Sequence, residues 1–89
     1  GISGKIAREV GEELRELAKV HQVICITHLP QIAGLANEHF SVIKVAEDGR
    51  SRTRIHRLNV DQRVTEIAKL IGGRSISETT LNQARELME

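Results

Sequence analysis

His28 ends the run VICITHLP, in which an apolar, largely β-branched stretch at 23–26 gives way to Thr27 and His28 before the chain turns through Leu29 and Pro30. A strand that finishes on a polar side chain at a loop is where open α/β sheets place their ligand chemistry, because the carboxyl ends of the strands face the binding crevice. A histidine that merely completes a strand fits the same position, and the residues alone leave both readings open. The remaining candidates are weaker. His21, His28, His39 and His56 are too scattered in sequence to form a recognisable metal set. Cys25 and His28, three residues apart on one strand, would point to opposite faces, which also argues against a Cys–His nucleophile pair. Arg52, Arg54 and His56 share one strand face and could contact phosphate, but charges on an edge strand more often block edge-to-edge pairing, and that is the reading the residues favour. No phosphate loop of the form G-x-x-x-x-G-K-[ST] occurs, so these residues cannot cradle a nucleoside triphosphate alone.

The elements that must position these side chains follow from periodicity. Ile6, Val10, Leu14 and Leu17 recur at helical spacing and predict an apolar helix face from Lys5 to near Val20, with Arg8, Glu9, Glu12, Glu13, Arg15, Glu16 and Lys19 on the solvent side. Residues 22–27 are apolar on both faces, which predicts a buried central strand covered by helices. Helix followed by strand is half of a βαβ unit whose first strand would precede Gly1. A short helix follows Pro30 through Gln31, Ile32 and Leu35. Two extended segments, 39–47 and 51–58, are joined by Asp48, Gly49 and Arg50, a hairpin signal because glycine tolerates the positive φ of a tight primed turn. Asn59 or Asp61 can cap a helix carrying Val60, Val64, Ile67 and Ile71, closed by Gly72 and Gly73. Ser77 is the predicted N-cap of a last helix, with Ile76 and Leu81 as a hydrophobic staple and Leu81, Ala84 and Met88 inward.

Composition bounds what such a chain can be. Eighty-nine residues, 39% hydrophobic and 28% charged, allow one domain with a small core. Phe40 is the sole aromatic residue, a shortage that points to a piece of something larger. A formal net charge of +1 gives no global drive toward nucleic acid or membrane, so any basic site must be local. Cys25 is the lone cysteine; it reads as a small buried thiol in a reducing cytoplasm. No stretch approaches the roughly 18 apolar residues of a membrane span. A first residue of Gly rather than Met suggests a processed, tagged or excised segment.

Two stretches add a resemblance to a known family. GISGKIA at 1–7 and ITHLPQIA at 26–33 resemble, in sequence and in the spacing between them, the ATPase head of RecN-type bacterial DNA-repair proteins, relatives of the SMC and ABC-type ATPases. ISETTL at 76–81, followed by ARELM, is similar to the family's C-terminal helix. The resemblance implies an α/β fold in which residues 1–89 form a single-domain, C-terminal piece of a P-loop head: helix, buried strand, short helix, β-hairpin and two C-terminal helices. It implies ATP hydrolysis in the service of double-strand-break repair and recombination, in the bacterial cytoplasm at the nucleoid. ATP and Mg²⁺ would be the cofactors. The partners would be a second head in a homodimer, the N-terminal half of the same head, and DNA.

In that family two heads face each other across ATP, and a switch histidine after the last core strand hydrogen-bonds the γ-phosphate and helps to place the attacking water. His28 matches it. Gly1, Ile2 and Ser3 match the latter part of the D-loop at the interface between heads, although many ABC proteins carry Asp where Ser3 stands. Arg52 and Arg54 are the candidates for DNA contact. Walker A, the signature motif and the Walker B acids are absent, the acids being expected just before Gly1, so the 89 residues alone are expected to be inactive. The alternatives are another SMC-like head, which the wording of THLPQIA argues against, and a small non-enzymatic α/β interaction module in which His28 only caps a strand.

Overall fold

Local signals set each helix end among residues 3–89, the part of the chain that the computed structural model describes. The helix α1 (Gly4–Leu17) starts where the Ser3 hydroxyl accepts a hydrogen bond from the Ile6 N–H at 3.2 Å. One turn of helix, α2 (Pro30–Ala33), opens on a proline, whose missing N–H and fixed φ suit a first helical position. Strands β1 (Phe40–Glu47) and β2 (Arg50–Arg57) pair antiparallel, with Glu47 opposite Arg50 and Phe40 opposite Arg57. Their two-residue turn, Asp48 and Gly49, has φ of 50° and 74°, as a primed hairpin turn requires.

Helices α3 (Val60–Gly72) and α4 (Glu78–Leu87) each begin with a reciprocal capping box, Asn59 with Gln62 and Ser77 with Thr80. Gly73, at φ 65°, closes α3 by donating its N–H to the Lys69 carbonyl at 2.8 Å. The mixed α/β character and the order of the helices and hairpin thus follow the sequence expectations, the strand expected at 22–27 excepted, and Asn59 rather than Asp61 is the cap.

The core is small and lies where α2, α3 and α4 meet. Ala33, Val64, Ile67, Ala68 and Ala84 are buried together, with Ile71, Leu81, Leu87 and Met88 packed against them. The chain comes closest to itself at two glycines on either side of α2. A Cβ at Gly34 would lie 2.7 Å from the Leu87 carbonyl oxygen, and one at Gly11 would lie 2.8 Å from a Leu35 methyl and 3.4 Å from the Gln31 carbonyl oxygen. Both glycines are there because backbone must approach backbone or a buried side chain.

Three expectations need correction. Residues 22–29 form no strand: they run without a ladder, and Ile24 and Ile26 are 83% and 99% exposed. An extended segment becomes a strand only by pairing, and among the described residues nothing flanks it. Cys25, expected inside, is accordingly exposed. The apolar stripe of α1 is not its packed face either. Ala7 and Gly11 are buried toward α2, while Ile6, Val10 and Leu17 face outward. The hairpin packs on none of the helices among the described residues, and every residue of β2 is exposed. A radius of gyration of 14.2 Å, against about 12 Å for a compact chain of this length, expresses the same openness.

Gly34 offers a direct check of the α2–α4 contact. Its φ of −65° is ordinary, so alanine meets no backbone strain there and fails only by collision with Leu87. Gly34→Ala is expected to destabilise by about 1–3 kcal/mol, the usual cost of overpacking. A thermal melt unchanged from wild type would mean that the two helices are not in this contact.

Candidate functional site

The geometry around His28 is built by its neighbours. Thr27 accepts the Leu29 N–H through Oγ1 at 3.0 Å, a side-chain turn that fixes the chain on either side of the histidine. The Leu29 carbonyl then accepts from the Ile32 and Ala33 N–H groups at 3.1 and 3.0 Å, starting α2. His28 itself is exposed and makes no hydrogen bond among the described residues. Its imidazole stands two residues ahead of a helix held down on both sides.

The two motif stretches meet in space. A Cβ at Gly4 would come within 3.0 Å of the Gln31 side-chain amide nitrogen, so the start of α1 lies against the residue three beyond His28. Further along, Gly11 receives Leu35 and the backbone of Gln31 and Ile32. Ser3, a D-loop candidate, is the N-cap of α1. Gly1 and Ile2 lie outside the described residues.

Arg52 and Arg54 do share a face of the hairpin, together with Arg50 and His56. Both pair with Glu47, Arg52 through Nε at 3.5 Å and Arg54 through Nη2, and Glu47 stands on the same face. The carboxylate offsets part of the positive charge that would meet a phosphate. Exposed pairs of this kind add little to stability, so their main effect is on the local field. Among the described residues no three His, Cys, Asp or Glu side chains are grouped to hold a metal ion.

Arg63 escapes the sequence reading. From α3 its Nη2 donates to the carbonyl oxygens of Ala36, at 2.9 Å, and Ala33, at 3.4 Å, the end of the segment that begins at His28. A signal was present: Arg63 lies three residues after Val60 and four before Ile67, on the stripe otherwise given to the core. Burial holds its pKa below the ordinary value, and its Nε is buried without a partner among the described residues. Beside it His39 is half-buried, with Nδ1 likewise unpartnered. Desolvation, and secondarily the Arg63 charge, push the His39 pKa down from 6.5, opposed by Glu66.

The order of these elements, with α2 and Leu35 packed on the first helix, fits the C-terminal part of an SMC/ABC-type head, and similarity to known proteins supports that class. The chain is 44% identical over 88 residues, 99% of its length, to DNA repair protein RecN of Vibrio cholerae, and 37% identical over 89 residues, all of its length, to that of Bacillus subtilis. To RecN of Haemophilus influenzae it is 42% identical over 89 residues. It belongs to the RecN family, as a C-terminal segment, and spans 16% of the length of each of these relatives. No family model matches it.

The His39 environment yields a pH prediction. A depressed folded-state pKa means that the unfolded chain takes up the proton first, so the stability linked to His39 is complete above pH 6.5 and is lost as pH falls below it toward the folded-state value. The melting temperature is expected to drop more steeply on acidification below pH 6.5 in wild type than in His39→Gln. Parallel curves for the two proteins would remove this role.

Proposed function

We propose that this chain is the part of a RecN-type ATPase head that brings the switch histidine to ATP, in a protein that repairs DNA double-strand breaks. The observation that carries the reading is the meeting of GISGKIA and ITHLPQIA: residues 4 and 31, far apart in sequence, touch, and His28, three residues before Gln31, is exposed. The names of the relatives, DNA repair protein RecN, support the cellular role.

The residues present fit one contact with ATP and not the holding of it. An exposed imidazole can donate to a phosphate oxygen or accept from water. No glycine-rich phosphate loop is in the sequence, and no acidic cluster for Mg²⁺ stands among the described residues. Bound Mg²⁺-ATP supplies the anhydride and its charge neutralisation; His28 aligns water and stabilises developing charge. The rest of the head is then the first partner. It would cover the outward stripe of Ile6, Val10 and Leu17 and flank the unpaired backbone at 22–29. Ser3, with Gly1 and Ile2, would face a second head.

His28→Ala in the full-length protein is expected to leave ATP affinity nearly intact and to lower turnover by about 10²–10³-fold, the typical cost of one positioned donor to developing charge. A structural histidine would instead reduce melting temperature, binding and turnover together. Near-normal hydrolysis by a normally folded variant would end the assignment.

DNA is the proposed partner of the whole protein, and Arg52 and Arg54 are the residues here that could touch its phosphates. Because Glu47 engages both, changing them to Ala is expected to shift the slope of log affinity against log salt by less than one unit. A fall of about two units would make both of them phosphate contacts.

A further inference from the structure

We infer that Arg63 is a positioning residue for His28, acting through α2. This rests on the reading of His28 as the switch histidine and adds to it the device that holds the histidine in place.

A helix of one turn cannot hold itself. α2 has three backbone bonds at its start, Ile32 and Ala33 to the Leu29 carbonyl and Gly34 to the Pro30 carbonyl, and its last carbonyls are met only by turn bonds, Ile32 from the Leu35 N–H at 3.1 Å and Ala33 from the Ala36 N–H at a long 3.4 Å. The Arg63 guanidinium takes up Ala33 and Ala36 from outside. The contact also ties the loop to the buried core, because Arg63 precedes Val64 and Ile67 in the cluster to which α3 contributes. From Ala33 the constraint runs five residues back to His28, through a turn of helix, the fixed φ of Pro30 and the Thr27 turn.

The choice of residue points the same way. A half-buried position next to Val64 would be filled without loss by Leu or Met, whereas Arg63 brings a guanidinium there and leaves its buried Nε without an acceptor among the described residues. Such a cost is consistent with a polar link kept for placement rather than packing. Loss of the link frees α2 to fray and lets the imidazole wander from the reacting phosphate, and small misplacements of that kind are costly to rate.

The test is a double-mutant cycle in the full-length protein: Arg63→Met, which keeps the apolar volume, Arg63→Lys, His28→Ala, and the Met and Ala changes combined. Steady-state ATP hydrolysis and thermal melting are measured on each. Arg63→Met is expected to lower kcat by about 10–100-fold, the scale on which misplacement acts. KM should stay within about two-fold of wild type, part of kcat should return with Lys, and the Met change should have no further effect once His28 is gone. If Arg63→Met does not fold, Arg63→Lys with and without His28→Ala decides by the same split. A slow His28→Ala beside a wild-type rate in Arg63→Met overturns the inference and leaves the histidine's role standing. Multiplicative losses in the double variant also overturn it, since Arg63 would then act apart from His28. A normal rate in His28→Ala removes the histidine's role, and the inference with it.

Discussion

The approach of backbone to backbone at Gly34 is the constraint on which this structure depends. A single turn of helix touches α1 through Leu35 on Gly11, α4 through Gly34 on the Leu87 carbonyl, and α3 through Ala33 in the buried cluster. On the α2 side two of these contacts use only glycine or alanine, and the third seats Leu35, two residues past α2, on a glycine. Close packing of small residues trades buried area for precision: a side chain of any size at Gly34 would push α2 off α4 and shift everything that α2 carries. What it carries is the loop with His28.

The parts legible in the sequence are those whose cause is local. The caps at Asn59 and Ser77 and the Asp48–Gly49 turn need only a side-chain oxygen within three residues or a tolerated positive φ. The apolar stripe of α3 was legible because its partner, α4, lies in the same chain. Residues 22–27 and the stripe of α1 were misread for the opposite reason. Their hydrophobic patterns describe burial against surfaces that the described residues do not supply, so pattern and observed exposure disagree at Ile24, Ile26, Ile6 and Val10. The site divides likewise. His28 was found by its place after an apolar run and by the words around it, whereas the Gly4–Gln31 junction and the reach of Arg63 are tertiary facts with no local trace beyond a cation on an apolar stripe.

Electrostatics is organised in the same economical way. Glu47, at the hairpin turn, meets two arginines of the opposite strand, and Glu38 meets Arg57 near the other end. The hairpin therefore presents alternating charge along its edges rather than a continuous basic surface, which discourages other strands from adding to it.

The open segment at 22–29 has no such protection. Val23, Ile24, Cys25 and Ile26 are uncharged, rich in β-branched side chains and free of proline, and among the described residues their main-chain groups have no ladder partner on either flank. That is the composition of a cross-β seed. Whenever this stretch is uncovered, whether during synthesis or in a truncated product, identical copies can stack on one another, and the tendency rises with concentration. The apolar, β-branched composition that made the segment read as a buried strand is also what makes it a hazard of amyloid-like assembly while it stays uncovered.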